Sequence, residues 1–225
     1  MQTIWYISPS NQGANMGVDG YGSERDQMYE LALLIAEHLD RAGVSFVIPE
    51  KTATLAQRVR QSNEMKAHFH FALHSNAGGN GKAWGPVALY YSSKGKDFSQ
   101  QLVDALLALG QKTNRSYHTK EEKSLYELRK TTAPAALLEV DFHDSSVGVE
   151  FITKNRARIA RAIAGVIIRA DGKQAAADPS GDPWSKALEL GLFPDTAQPE
   201  AALTCGEAAR ALVRLHSLVE GGETV

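Results

Sequence analysis

The sequence predicts an α/β fold: a mainly parallel twisted sheet covered by helices on both faces, with a small C-terminal helical module. Short apolar runs that read as buried strands alternate with stretches whose apolar residues recur at helical spacing. A segment of Gly, Ala, Asp and Pro with no periodic apolar face, residues 171–183, reads as a linker. The expected organisation is a catalytic-type domain over residues 1–170, that linker, and a module over residues 184–225.

Residues 2–7 read as a first strand, followed by the turn-rich Ser8-Pro9-Ser10-Asn11-Gln12-Gly13. From Glu24 to Arg41 the positions Met28, Leu31, Ile35 and Leu39 give one helical face, and Gly43 is its stop. Val44 to Ile48 is a strand, and Thr54 to Lys66 a helix with Leu55, Val59 and Met65 as its apolar members. His68 to His74 reads as a largely buried strand and Pro86 to Tyr91 as another. Phe98, Leu102, Ala105, Leu106 and Leu109 line a third helix, Ala135 to Phe142 is a strand, and Arg156 to Arg169 closes the domain as a helix.

The module carries two short helical segments, about Trp184 to Leu190 and Glu207 to Val219, the second opened by a Thr204/Glu207 capping-box pattern. It is too small for a large core of its own, so it must pack tightly, dock, or pair with a partner.

A chain of 225 residues with 43% hydrophobic content supports one sizeable core. Lysine and arginine total 24 against 26 acidic residues, so no basic field favours nucleic acid. The single cysteine, Cys205, excludes an intrachain disulfide and a Cys-rich zinc site. No stretch approaches the ~20 apolar residues of a membrane span, and the first residues lack a secretory signal. The expectation is synthesis in the cytoplasm without membrane insertion.

Three clusters carry chemistry. A long apolar strand ending in His74, then Ser75-Asn76-Ala77-Gly78-Gly79, puts an imidazole at a sheet edge beside a tight loop. That suits a metal ligand, a general base, or a hydrogen-bonded structural histidine. His70 shares the side-chain parity of His74 but sits ~13 Å away along a strand, too far to share one metal ion, and reads as a packing histidine.

Glu139 stands late in an apolar run where an unpaired carboxylate is costly, so a metal, a reacting water or an ion pair must account for it. Asp141 shares its face, and His143 follows the strand, where it either reaches the pocket or caps the loop. Glu24 opens the first helix beyond the glycine-rich residues 17–22. It is either a favourable helix-start carboxylate or part of the same site.

In their order along residues 2–169, Ser8-Pro9-Ser10-Asn11-Gln12-Gly13, Gly22-Ser23-Glu24-Arg25-Asp26, Leu73-His74-Ser75-Asn76-Ala77 and Leu138-Glu139-Val140-Asp141-Phe142-His143-Asp144 resemble the zinc-dependent N-acetylmuramoyl-L-alanine amidases, phage endolysin catalytic domains in particular. The resemblance implies that Glu24 and His74 bind Zn2+, that Glu139 activates the attacking water, and that the substrate is peptidoglycan. The family normally places a further histidine in the first loop, where this chain has Asn11. Asn11, Gln12 and His143 are the candidates for a further ligand or a substrate contact, Gln12 and Asn15 supply amides able to bind the peptide instead, and Asn76, Gly78 and Gly79 are the candidates for the substrate groove.

In the tail, Trp184-Ser185-Lys186-Ala187, Glu189-Leu190-Gly191-Leu192 and Leu203-Thr204-Cys205-Gly206-Glu207 resemble small modules appended to endolysins, which implies wall attachment or self-association as a homodimer. Action on the wall would follow release by a holin or by lysis. A metallopeptidase of the stem peptide would have similar site chemistry, and Asn11 motivates a wall-binding protein of weakened catalysis as the other alternative.

Overall fold

The computed structural model describes residues 3–78 and 80–174. The linker beyond Gln174, the module at 184–225 and Gly79 lie outside the described residues. The elements run β1 (Trp5–Pro9), α1 (Glu24–Arg41), β2 (Phe46–Val47), α2 (Leu55–Glu64), β3 (Phe69–Asn76), β4 (Val87–Tyr90), α3 (Ser93–Leu107), β5 (Thr119–Glu121), α4 (Tyr126–Lys130), β6 (Ala135–Phe142), α5 (Ser146–Lys154) and α6 (Arg156–Ala170). They build one six-stranded sheet of order β2-β1-β3-β6-β4-β5, parallel throughout except where β4 meets β6. The predicted α/β class is what the chain adopts.

The strand alternation separates two unlike faces. Trp5 and Ile7 of β1, Phe69, Phe71 and Leu73 of β3, and Ala136, Leu138 and Val140 of β6 join one continuous core. Helices α1, α3 and α6 complete it with Met28, Leu31 and Ile35, with Phe98, Leu102 and Leu106, and with Ile159, Ile163 and Ile167. Each such side chain contributes about 1.5–3 kcal/mol when fully buried.

On the opposite face stand Tyr6 and Ser8 of β1 and His70 and His74 of β3, with a small apolar cluster of Ala72, Leu128, Ala135 and Leu137. Tyr6 stacks on His70 at 5.0 Å and donates to Gln61 of α2 at 2.8 Å. Arg58 of α2 is buried there, donating to the carbonyls of Ala53, Lys51 and Pro9. That helix starts with the capping box of Thr54 and Gln57, and α1 with Ser23, whose hydroxyl accepts from the Asp26 amide.

Three elements escape the sequence pattern. β5 is an exposed, charged edge strand, α4 has five residues, and α5 is rich in β-branched residues and carries Gly148. None holds a helical or strand period long enough to read. Gly148 lets α5 sit directly on the end of β6, since a Cβ there would meet the Phe142 carbonyl and Asp141 Oδ1. β1 also runs two residues further than expected, through Ser8 and Pro9. The amide of Ser10 donates to Leu73 of β3, so the missing N–H of Pro9 points to the other edge, where β2 has already ended.

Asp171, expected in the linker, caps the C-terminus of α6 and clasps the start of the chain. Its Oδ1 accepts from Thr3 Oγ1 at 2.7 Å and Trp5 Nε1 at 2.9 Å, and Lys173 lies 3.0 Å from Oδ2. Burial opposes its charge, but these donors win and hold the carboxyl below its usual range. Among the described residues no helix is long and apolar enough to cross a membrane.

Asp171→Ala is expected to cost about 2 kcal/mol at neutral pH. Because the folded-state value is depressed, that cost is full above the ordinary Asp value of 3.8 and fades as pH falls below it. Denaturant midpoints of the two proteins on either side of that pH check this.

Candidate active site

The site forms where β3 and β6 run side by side. His74 and Glu139 are register partners on these parallel strands, and the register slips just beyond, between His74 and Asn76. Such irregularities re-aim side chains at the ends of a ladder. Glu24, the first residue of α1, is 1% exposed and sits on the loop side of the same sheet edge.

Its carboxylate is fully engaged. Oε1 lies 2.8 Å from His74 Nδ1 and accepts from the Ser75 amide at 3.4 Å, while Oε2 accepts from Asn15 Nδ2 at 2.7 Å. The Glu24 amide donates in turn to the Asn15 carbonyl. Burial disfavours the carboxylate, yet His74 first and then Asn15 and Ser10 hold it below the usual range.

His74 is the charge centre of the group. Burial works against protonation of the ring, but the Glu24 hydrogen bond and the fields of Glu139, Glu24 and Glu127 raise it to about 9. Glu139 goes the other way. Burial pushes its carboxyl up to about 7, offset in part by His74, and its Oε2 is buried with no hydrogen-bond partner. A carboxyl near neutrality with a free oxygen can take a proton from water and return it.

The remaining predicted residues fall into three places. Asn11 is half-buried and donates its amide to the Ala53 carbonyl at 3.3 Å. Gln12 is exposed, and its backbone holds the loop through Asn15 and Arg25. His143 is buried against Tyr21, its ring stacked at 5.7 Å and its Nδ1 2.9 Å from Ser75 Oγ. Its Nε2 is buried without a hydrogen-bond partner, and the field of Glu24 reaches the ring.

Asn76 is half-buried, and its carbonyl accepts from the His143 amide. Gly78 is exposed at φ 131, a conformation that favours glycine, with its amide on Asp144 Oδ2. Asp141 is a clasp: Oδ1 accepts from the amides of Gly85 and Phe142, and Oδ2 from Gln111.

Asn15, whose amide the sequence offered to the peptide, clamps Glu24 from both sides. One contributor was not singled out by sequence reasoning. Glu127 of α4 is 4% exposed and hydrogen-bonded to Ser8 and His70. A short helix with Leu125 and Leu128 around it gave no period by which to place that carboxylate.

The donors suit a divalent cation on two protein side chains. One imidazole and one carboxylate lie 2.8 Å apart, and the neighbouring Glu139 oxygen lacks a partner. Among the described residues no group of three His, Cys, Asp or Glu converges on one point.

With this geometry in place, the comparisons define the class. The sequence profile of N-acetylmuramoyl-L-alanine amidases matches residues 7–169, and the chain belongs to that family. It is an enzyme of that class. A comparison with curated proteins finds no match.

Among solved structures, the catalytic domain of the amidase CwlV from Bacillus (Paenibacillus) polymyxa var. colistinus is similar at 20% identity, TM-score 0.66, over 77% of this chain and all (100%) of that one. The amidase AmiC2 of Nostoc punctiforme gives 22% and 0.65 over 75% and 96%. The catalytic domain of the CD27L endolysin targeting Clostridia difficile gives 24% and 0.62 over 75% and 98%. At these identities they establish the shared fold.

In metal-free protein, Glu24→Ala is expected to lower the titration of His74 from about 9 toward 6.5, read by NMR of its ring. The folded-state value is raised, so the stability contributed is full below pH 6.5 and lost as pH rises through about 9. The cost of the substitution follows the same window.

Proposed function

We propose that this chain hydrolyses the amide between the lactyl group of N-acetylmuramic acid and L-alanine of the peptidoglycan stem peptide, and does so with zinc. The carrying observation is the juxtaposition of the Glu24–His74 pair with Glu139, whose free oxygen stands beside it on the paired strand. The family is generally zinc-dependent, and Glu24 and His74 are the residues that would hold the ion. Bound there, it supplies Lewis acidity toward the scissile carbonyl and acidifies the attacking water.

The chain's own residues do the rest. Glu139 takes the water proton on its free carboxylate oxygen as the oxygen–carbon bond forms. It then delivers that proton to the alanine nitrogen as the carbon–nitrogen bond breaks, releasing a lactyl carboxylate and a free amine. Glu24 and Asn15 fix the imidazole so that the reacting geometry is preorganised. Asn76 is half-buried and Gly78 exposed, as the lining of a groove for an extended polymer would be.

A setting in cell-wall lysis fits this reading, with a phage or prophage origin, release by a holin or by lysis, and residues 184–225 serving wall attachment or self-association. A second reading is favoured by Asn11, whose amide is spent on Ala53 where the family normally has a ligating histidine. In that reading the chain binds the wall with weakened catalysis. Wall binding without clearance in added zinc, cured by Asn11→His, would establish it.

Digestion of purified peptidoglycan is expected to generate new free alanine N-termini without sugar cleavage, scored by mass analysis. Cuts confined to internal peptide bonds would indicate a stem-peptide metallopeptidase instead. Glu139→Ala should lower the rate by about 10²–10⁴-fold with the fold retained. Full activity in that variant removes Glu139 from the mechanism.

A further inference from the structure

We infer that Glu127 is a positioning residue for His74: its carboxylate faces the Nε2 edge of the ring, keeps that nitrogen a proton donor, and so presents Nδ1 toward Glu24 and the cation. The inference rests on the reading that Glu24 and His74 form the cation pair.

Glu127 is anchored independently of His74. Its Oε1 accepts from Ser8 Oγ at 2.5 Å and lies 2.8 Å from His70 Nε2, and the buried Arg58 guanidinium reaches the same Ser8 oxygen at 3.4 Å. A carboxylate so deeply buried must be paired to persist in charged form. Burial opposes its ionisation, and His70, His74 and Ser8 hold it ionised.

An ionised carboxylate only accepts, so His70 must carry its proton on Nε2, with its Nδ1 2.9 Å from Ser62 Oγ. Oε2 has neither of these partners and lies 4.0 Å from His74 Nε2. That is longer than a hydrogen bond, and contacts of this kind tighten when the site is occupied.

One carboxylate therefore serves two histidines on one face of β3, fixed by the first and directed at the second. Both ring nitrogens of His74 thus face carboxylates, and when a cation takes the place of the proton between Nδ1 and Glu24 Oε1, 2.8 Å apart, Glu127 holds the remaining proton on Nε2 and leaves Nδ1 as the donor atom toward the cation. A carboxylate behind a ligating histidine orients the ring and strengthens it as a ligand.

The test compares the full chain with Glu127→Gln, and with His70→Gln and Ser8→Ala, which loosen the same network but leave the carboxylate facing His74. Zinc chloride is titrated calorimetrically, and the His74 Nε2–H resonance is followed by ¹⁵N-edited NMR with and without zinc. Glu127→Gln is expected to weaken zinc binding by about 10–100-fold and to expose that proton to rapid solvent exchange. The two control variants, which weaken the anchor but keep the carboxylate, should lose clearly less affinity and proton protection than Glu127→Gln. If Gln is not tolerated, Glu127→Asp, which keeps the charge and withdraws the oxygen from His74, should show the same loss.

Wild-type zinc affinity and an unchanged resonance in the Glu127 variant overturn the proposal, as does an equal loss in His70→Gln. Should the wild-type chain bind no zinc, the resonance decides: protected in wild type and lost in the variant, it supports the role, and unprotected in wild type it overturns it. Wall hydrolysis is scored separately. An inactive chain that still shows Glu127-dependent zinc binding leaves this assignment standing while the amidase reading falls.

Discussion

The alternation along β3 is the constraint on which the rest depends. Phe69, Phe71 and Leu73 enter the core beneath α1, α3 and α6, and the period of two sends His70 and His74 to the opposite face. A parallel strand in the middle of a sheet is covered on both sides, so polar groups on the second face must find partners. They do so in one connected system, in which Ser62, His70, Glu127, Ser8 and Arg58 join end to end. The network that satisfies this face is the floor on which His74 stands, so packing and chemistry are set by the same strand.

Much of this was legible in the sequence, because long elements carry long periods. The helices at 24–41 and 156–170 and the strand at 135–142 each bury a face that recurs often enough to be read. Ordered loops at strand ends also gave Glu24, His74 and Glu139, since polar residues there stand out from apolar runs. What could not be read is what depends on register and on short pieces. The direct pairing of His74 with Glu139 is fixed by how β3 and β6 align, and Glu127 arrives on a five-residue helix distant in the chain.

His143 shows the limit from the other side. Its place after β6 allowed either a pocket role or a loop role, and the structure gives it features of both: the ring stacks on Tyr21 and bonds to Ser75, while its Nε2 is buried without a hydrogen-bond partner in the field of Glu24. Polar identity and position along a strand say that a side chain needs a partner, and they do not say which one.

The electrostatics of the centre then argue for its chemistry. Three carboxylates, Glu24, Glu127 and Glu139, act on one imidazole, and the fields do not cancel. In the metal-free protein the mismatch is relieved by protons, which is why burial leaves Glu139 near 7 while His74 is drawn up to about 9. A divalent cation relieves the same excess without protons. It would free the imidazole to ligate and leave the Glu139 oxygen beside it as the group able to move a proton. On the proposed reading, the charge surplus that looks unfavourable for folding is thus the feature that would draw a cation to the site and serve hydrolysis.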